Sequence, residues 1–141
     1  ATQGILLPLL ECHPDRILVA NRTKARSLKL ARNFSEYGKV CGFGLDQIKA
    51  KPVDIIINAT SASLDGKIPE IPPGVATGAL CYDLMYGKQT PFMHWARENS
   101  ALEVTDGLGM LVEQAASAFA FWHDITPETK EVIKSLRETN D

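Results

Sequence analysis

The chain has 141 residues, of which 45% are hydrophobic and 23% are charged, as expected for one soluble globular domain with a real core. A formal net charge of −2 argues against a general nucleic-acid or anionic-membrane surface. No apolar run reaches the length of a membrane span and no signal segment opens the chain, so a cytoplasmic protein is expected. Cys12, Cys41 and Cys81 are odd in number and widely spaced, which predicts buried thiols in a reducing compartment and no disulfide framework or metal site.

The N-terminal third predicts a helix, a strand and a second helix. The chain starts in a small-residue turn that leads into an apolar helix, so its beginning looks cut. Residues 17–20 are continuously apolar, which predicts a buried parallel strand. Thr23 is suited to cap the following helix, whose apolar positions are Ala25, Leu28, Ala31 and Phe34.

The start of this second helix carries an unusual charge pattern. A helix N-terminus has partial positive charge and favours acidic residues, but here it carries Arg22, Lys24 and Arg26. A phosphate ligand would explain the cluster, because helix N-termini bind phosphate. In dinucleotide-binding folds an acid at this position binds the ribose 2′-hydroxyl and an Arg accommodates a 2′-phosphate; this chain has Asn21 and Arg22. The alternative is a solvated basic helix start in which Arg22 pairs with a surface carboxylate.

The remaining elements continue to alternate. Strands are predicted at 40–43, 53–58, 79–84 and 102–104, of which 53–58 is the clearest buried strand. Helical segments are predicted at 45–48, from Pro91, at 110–123, which is apolar nearly all round, and from Thr126, with Val132, Ile133 and Leu136 on one face. Asp65-Gly66 predicts a turn, and 68–74 a proline-stiffened connection within one domain. This alternation predicts a doubly wound parallel sheet covered on both faces.

Polar or glycine-containing segments follow four of the predicted strands. They are Asn21-Arg22-Thr23, Asn58-Ala59-Thr60, Leu84-Met85-Tyr86 and Gly107-Leu108-Gly109. Because ligands in such sheets bind at the carboxyl ends of the strands, we expect the four segments to converge on one rim.

These segments belong to a larger set of motifs with consistent order and spacing. Ala1-Thr2-Gln3-Gly4 resembles the end of a G-A-G-G-A-T-x-G loop, and Asn58-Ala59-Thr60-Ser61 an N-A-T-S segment. Residues 82–86 resemble Y-D-x-x-Y, and residues 106–112 with Gln114 resemble D-G-x-G-M-L-x-x-Q. Over essentially its whole length the chain resembles the cofactor-binding half of shikimate dehydrogenases.

The resemblance implies a Rossmann-like, doubly wound and mainly parallel sheet with helices on both faces, forming one NADP-binding domain over residues 1–141. The first strand and most of the glycine-rich loop are missing from this sequence. The final helices are expected to pack toward an N-terminal substrate domain that this sequence does not contain.

The resemblance also implies the roles of individual residues. Arg22 and Arg26 would hold the adenosine 2′-phosphate, with Asn21 and Thr23 beside it. The cofactor-binding residues implied in total are Ala1, Asn21, Arg22, Thr23, Arg26, Asn58, Thr60, Leu84, Gly107 and Met110. Tyr86 and Gln114 would reach the substrate hydroxyls; from the residues alone, a rim aromatic and a polar residue on a packed helix remain open for these two.

The implied activity is NADPH-dependent reduction of 3-dehydroshikimate to shikimate in aromatic amino-acid (chorismate) biosynthesis. The catalytic Lys and Asp of the family belong to the N-terminal substrate domain, so no catalytic residue and no metal ligand is expected here, and the chain alone is expected to be inactive. Asp83 and Asp106 belong to the C-terminal motifs and do not replace that pair. No nucleic-acid or membrane partner is expected, and a homodimer is left open. The alternatives are a quinate/shikimate dehydrogenase using NAD, against which Asn21-Arg22 argues, and a non-catalytic NADP-sensing module.

Overall fold

The computed structural model describes residues 2–60, 67–68 and 70–140. The described chain divides into two compact units. Unit one contains the residues up to 51 together with 70–75, and unit two contains the other described residues. Ala1, Ser61 and the predicted turn at Asp65-Gly66 lie outside the described residues.

Unit one contains a two-stranded parallel sheet. Its elements are α1 (Thr2–Glu11), β1 (Ile17–Asn21), α2 (Lys24–Asn33), β2 (Val40–Gly44) and two 3-10 turns, Leu45–Gln47 and Pro73–Val75. The strands align so that Ile17 lies beside Val40 and Asn21 beside Gly44. Helix α2 packs on this strand pair.

Unit two contains a three-stranded parallel sheet in the order β3-β4-β5. Its elements are β3 (Ile55–Asn58), β4 (Leu80–Asp83), α3 (Pro91–Glu98), β5 (Glu103–Thr105), α4 (Leu108–His123) and α5 (Lys130–Asn140). Helix α3 packs on β4 and β5. It begins as predicted with Pro91 in its first turn, and the Thr90 hydroxyl accepts a hydrogen bond of 3.2 Å from the Met93 N–H.

The predicted α/β class is confirmed, since parallel strands alternate with helices along the described chain. Element boundaries differ by a few residues. Helix α4 starts at Leu108, two residues before the prediction, and α5 starts at Lys130 instead of near Thr126. The Thr129 hydroxyl donates to Glu113 Oε1 at 2.7 Å, which ties the chain before α5 to α4.

Parallel strands form as predicted at Ile17–Asn21 and Ile55–Asn58, but the prediction that they are buried holds only at Val19 and Asn58. Leu18 of β1 is 45% exposed and Ile55 of β3 is 55% exposed. Their neighbours in register are exposed too, Cys41 beside Leu18 and Leu80 beside Ile55. Because neighbours on parallel strands point to the same side, each sheet has an apolar side that is uncovered at Leu18 or Ile55, which an apolar run in the sequence does not reveal.

The prediction of three buried thiols is correct only for Cys81. Cys12 and Cys41 are exposed. Cys12 follows the end of α1, with its Sγ 3.5 Å from the Pro8 carbonyl oxygen, and Cys41 lies on the uncovered side of β2. Burial raises the pKa of the Cys81 thiol, so this group stays protonated and packs as a small apolar side chain.

Helix α4 is apolar on most sides but is buried only near its start, at Leu108 and Val112. Its last two turns carry three exposed aromatic residues, Phe119, Phe121 and Trp122, which we call the aromatic end of α4. Phe121 is 87% exposed and Trp122 is 79% exposed. In the described part of the chain, no helix has the length and hydropathy needed to cross a bilayer.

Candidate functional site

The end of β1 turns directly into α2. The Asn21 side-chain oxygen accepts a hydrogen bond of 2.8 Å from the Thr23 N–H, which is the local turn that Asn side chains favour. The Thr23 carbonyl oxygen then accepts from the Arg26 N–H at 2.9 Å and starts the helix. Thr23 occupies the N-cap as predicted, but its side chain makes no capping bond. The first turn therefore lacks the side-chain cap that Thr usually supplies.

The start of α2 is fixed against β2 by Ser27. This side chain is 1% exposed, and its hydroxyl lies 2.8 Å from the Lys24 carbonyl oxygen and 2.7 Å from that of Phe43. Gly42 allows the close approach, since a Cβ on it would lie 2.4 Å from the Ser27 carbonyl oxygen. The first turn of α2 is thus held at the carboxyl end of the sheet in unit one.

The basic side chains at this turn face solvent. Arg22, Lys24 and Arg26 are exposed, and no acidic residue lies in the first turn of α2. Within residues 2–60, 67–68 and 70–140, none of these three side chains forms an ion pair. The alternative interpretation, in which Arg22 pairs with a surface carboxylate, is therefore not seen in the described chain. A positively charged helix start of this kind is suited to bind an anion.

In unit two, a buried hydrogen-bond network joins the ends of β3 and β4. Asn58 is 4% exposed and Asp83 is 0% exposed, and the Asn58 amide donates to Asp83 Oδ1 at 3.3 Å. The Asn58 oxygen accepts from the Thr60 N–H at 3.2 Å and from the Thr60 hydroxyl at 2.8 Å. Asn58 therefore orients Thr60, which is itself exposed.

The loop after β4 lies against the start of α4. The Gly107 N–H donates to the Met85 carbonyl oxygen at 2.9 Å, and a Cβ on Gly107 would lie 2.3 Å from the Leu84 carbonyl oxygen. Only glycine allows two backbones to approach so closely. Asp106 also contributes, since its Oδ1 accepts from the Leu108 N–H at 3.3 Å and lies 3.5 Å from Arg137 Nη2.

The two acidic residues of the C-terminal motifs are held by internal partners. Asp83 Oδ1 also accepts from the Met85 N–H at 3.1 Å, and its Oδ2 from the Thr90 hydroxyl at 2.6 Å. Asp106 pairs with Arg137. Neither carboxylate is arranged as an exposed acid or base. No group of side chains suited to hold a metal ion is found among the described residues.

Comparison with known proteins points to shikimate dehydrogenases. Residues 107–137 match the family model of the Shikimate 5′-dehydrogenase C-terminal domain. The protein named shikimate dehydrogenase (NADP(+)) of Ruthia magnifica subsp. Calyptogena magnifica is 60% identical over 137 residues, which cover 97% of this chain and 51% of that protein. Over almost its whole length the chain is therefore similar to one half of a shikimate dehydrogenase. It spans about half the length of the curated relatives it matches.

Solved structures with a similar fold include a shikimate dehydrogenase. An Ael1 enzyme from Pseudomonas putida is 41% identical, with a TM-score of 0.86 over 94% of this chain and 49% of that one. A shikimate dehydrogenase crystallised in complex with NADP+ is 28% identical, with a TM-score of 0.73 over 98% of this chain and 50% of that one. The Rossmann-like fold predicted from the motifs is confirmed.

The structure brings together some of the residues implied by the family. Asn21, Arg22, Thr23 and Arg26 share one turn in unit one, Asn58 touches Thr60, and Gly107 touches Leu84 in unit two. Met110 is half-buried on α4, whereas Gln114 and Tyr86 are exposed. Their roles toward a ligand stay predictions. Asp83 was expected only as part of a C-terminal motif, because its buried contact with Asn58 depends on the pairing of β3 and β4.

Proposed function

We propose that this chain is the NADP-binding part of a shikimate dehydrogenase, which reduces 3-dehydroshikimate to shikimate with NADPH. The observation that carries the proposal is the start of α2, where three exposed cations without an ion pair in the described chain follow an Asn instead of an acid. The relatives named shikimate dehydrogenase (NADP(+)) and the NADP+ complex support it.

The donor set at α2 fits the 2′-phosphate. Arg22 and Arg26 supply guanidinium groups that bind phosphate oxygens in bidentate geometry, and the uncapped first turn adds N–H groups and the helix dipole. Asn21 uses its side-chain oxygen to hold the turn, so its contribution is to set the direction of Arg22. An acid in this position would instead repel the phosphate and favour NAD.

Residues of unit two would line the nicotinamide side of the site. Thr60, Leu84 and Gly107 follow β3, β4 and β5, and Met110 lies in the first turn of α4. NADP, when bound, supplies the hydride donor or acceptor. The chain's own residues bind and orient it, and Tyr86 and Gln114 are proposed to contact the substrate hydroxyls from exposed positions.

We propose that the proton of the substrate hydroxyl is transferred by residues outside this chain. Family resemblance assigns this step to a Lys and an Asp in an N-terminal substrate domain, and the curated relatives are about twice as long as this chain. We propose that the aromatic end of α4 packs against that domain. Burial of Phe121 and Trp122 would remove a large apolar surface from water.

The 2′-phosphate assignment is tested by Arg22→Ala in the complete enzyme. Loss of a charge-assisted hydrogen bond should weaken NADPH binding by about 1.5 to 3 kcal/mol, or about 10- to 150-fold in Kd. NADH binding should change less than about twofold, because NADH has no 2′-phosphate. Both constants are measured by fluorescence titration.

Arg32→Ala is the matched control, since Arg32 is an exposed arginine in the last turn of α2. It removes the same charge away from the helix start and should leave both cofactors unaffected. Equal weakening of NADPH and NADH by Arg22→Ala would contradict the assignment.

A further inference from the structure

Asp83 lies at the centre of the carboxyl edge of the sheet in unit two. Its side chain is 0% exposed, and a buried carboxylate is costly unless it accepts hydrogen bonds. Two of its donors come from the predicted cofactor side, because Oδ1 accepts from the Asn58 amide at 3.3 Å and from the Met85 N–H at 3.1 Å. This one oxygen therefore joins the end of β3 to the loop after β4.

Hydrogen bonds hold the backbone of Met85 at both its N–H and its carbonyl oxygen. The N–H of Met85 is held by Asp83, and its carbonyl oxygen accepts from the Gly107 N–H at 2.9 Å. Gly107 also lies against the Leu84 carbonyl, where a Cβ would come within 2.3 Å. The position of Leu84 is thus set by the carboxylate on one side and by the start of α4 on the other.

The network continues to Thr60 on the opposite side. Asn58 donates to Asp83 and accepts from both the N–H and the hydroxyl of Thr60. The three residues proposed to line the nicotinamide side, Thr60, Leu84 and Gly107, are therefore all connected to Asp83 through at most two hydrogen bonds or backbone contacts.

We propose that Asp83 is a positioning residue for hydride transfer. It touches neither cofactor nor substrate, but it sets the distance between Thr60, Leu84 and Gly107 and so the seat of the nicotinamide ring. The inference rests on the proposed function, because that function places the ring there. Reaction rates depend steeply on such placement, since a displacement of about 1 Å can cost about 100-fold in rate.

The test compares three variants of the complete enzyme. Asp83→Ala removes the acceptor for the Asn58, Met85 and Thr90 donors and should lower kcat about 50-fold. Asp83→Asn keeps one oxygen that can accept from Met85 and should lower kcat only about fivefold. The Michaelis constant for NADPH should change less than about threefold in both, because the 2′-phosphate is bound by residues of unit one.

Thr90→Val is the matched control. It removes the hydrogen bond to Asp83 Oδ2 and the cap of α3, so it should destabilise the protein to a similar degree. The Oδ1 contacts to Asn58 and Met85 are not touched, and kcat should stay within about twofold of the wild type. A purely structural role of Asp83 would leave the primary isotope effect with 4-deuterated NADPH unchanged. We expect this isotope effect to rise in the Asp83 variants and not in Thr90→Val.

Each outcome decides the proposal. If folded Asp83→Ala retains wild-type kcat and isotope effect, or if Thr90→Val loses kcat as much as the Asp83 variants do, Asp83 acts only on stability and the inference is wrong. If Asp83→Ala does not fold, the comparison of Asp83→Asn with Thr90→Val decides in the same way. A wild-type enzyme without NADPH-dependent activity would instead overturn the proposed function.

Discussion

Gly107 lies where a side chain would collide with the backbone after β4. Its φ of −78° is open to every residue, so the restriction is steric and comes from the Leu84 carbonyl oxygen, which would lie 2.3 Å from a Cβ at this position. Gly107→Ala should therefore shift the start of α4 away from Leu84 and reduce the free energy of unfolding by about 1 to 3 kcal/mol. Chemical denaturation of the complete enzyme measures this loss.

Gly109 provides the comparison within the same helix. A Cβ on it would meet nothing within 4 Å, and alanine is a better helix former than glycine. Gly109→Ala should raise the free energy of unfolding by about 0.5 to 1 kcal/mol. If the two alanine variants shifted stability in the same direction and by the same amount, close approach at Gly107 would not be the reason for its glycine.

At the scale of the element, α2 combines weak capping with strong positive charge. Thr23 occupies the N-cap without a side-chain bond, so Thr23→Asp should add a cap and complement the helix dipole. We expect a gain of about 0.5 to 1 kcal/mol in the free energy of unfolding. The same carboxylate would repel a 2′-phosphate, and NADPH binding should weaken more than about tenfold.

Thr23→Asn separates the two effects, because asparagine caps a helix without adding charge. It should stabilise the protein while leaving NADPH binding within about threefold. Thermal unfolding and cofactor titration of both variants provide the measurements. Unchanged NADPH binding in Thr23→Asp would show that the phosphate lies away from this helix start.

The order of strands and helices was predictable because the local signals agree with the fold. Apolar runs mark the strands, and Thr90-Pro91 marks the start of α3. The exposed sides of β1 and β3 were not predictable, because an apolar residue such as Leu18 or Ile55 has the same pattern whether or not another element covers it. The exposure of Cys41 was not predictable for the same reason.

The candidate site was predictable in part. The charge pattern at Arg22 and Arg26 indicates an anion from helix electrostatics alone. The network around Asp83 was not predictable, because Asn58 and Asp83 are 25 positions apart in sequence and meet only through the register of β3 and β4. Hydrogen bonds between strand ends depend on tertiary pairing, which a local pattern does not contain.

At the scale of the whole molecule, the aromatic end of α4 is the surface whose burial we expect to change most in the complete protein. If the N-terminal domain covers Trp122, then Trp122→Ala in the complete protein should reduce the free energy of unfolding by about 3 kcal/mol, as for a buried aromatic residue. A solvent-exposed tryptophan would change it by less than about 0.5 kcal/mol. Tyr37→Ala serves as the control, since Tyr37 is 61% exposed in unit one and lies away from α4 in sequence.

The unpaired edges of β1 and β3 predict how residues 1–141 behave on their own. In the described chain, β1 pairs only with β2 and β3 pairs only with β4. In a doubly wound sheet, an open edge of this kind is where a further strand can pair. Unpaired buried backbone groups cost about 1 to 3 kcal/mol each, and open edges promote association between chains. We expect residues 1–141 alone to aggregate or exchange strands.

The central claim is that this chain supplies the NADP site of a shikimate dehydrogenase and depends on an N-terminal domain for catalysis. It is tested most directly by measuring shikimate oxidation with NADP+ and with NAD+, using the complete enzyme and residues 1–141 side by side. The complete enzyme should turn over shikimate with NADP+ at least about tenfold more efficiently than with NAD+, given the value of the 2′-phosphate contacts. Residues 1–141 alone should show no turnover, because hydride transfer needs a base on the substrate hydroxyl and a second wall that excludes water. Turnover of shikimate by residues 1–141 as a monodisperse monomer, or a preference of the complete enzyme for NAD+, would contradict the claim.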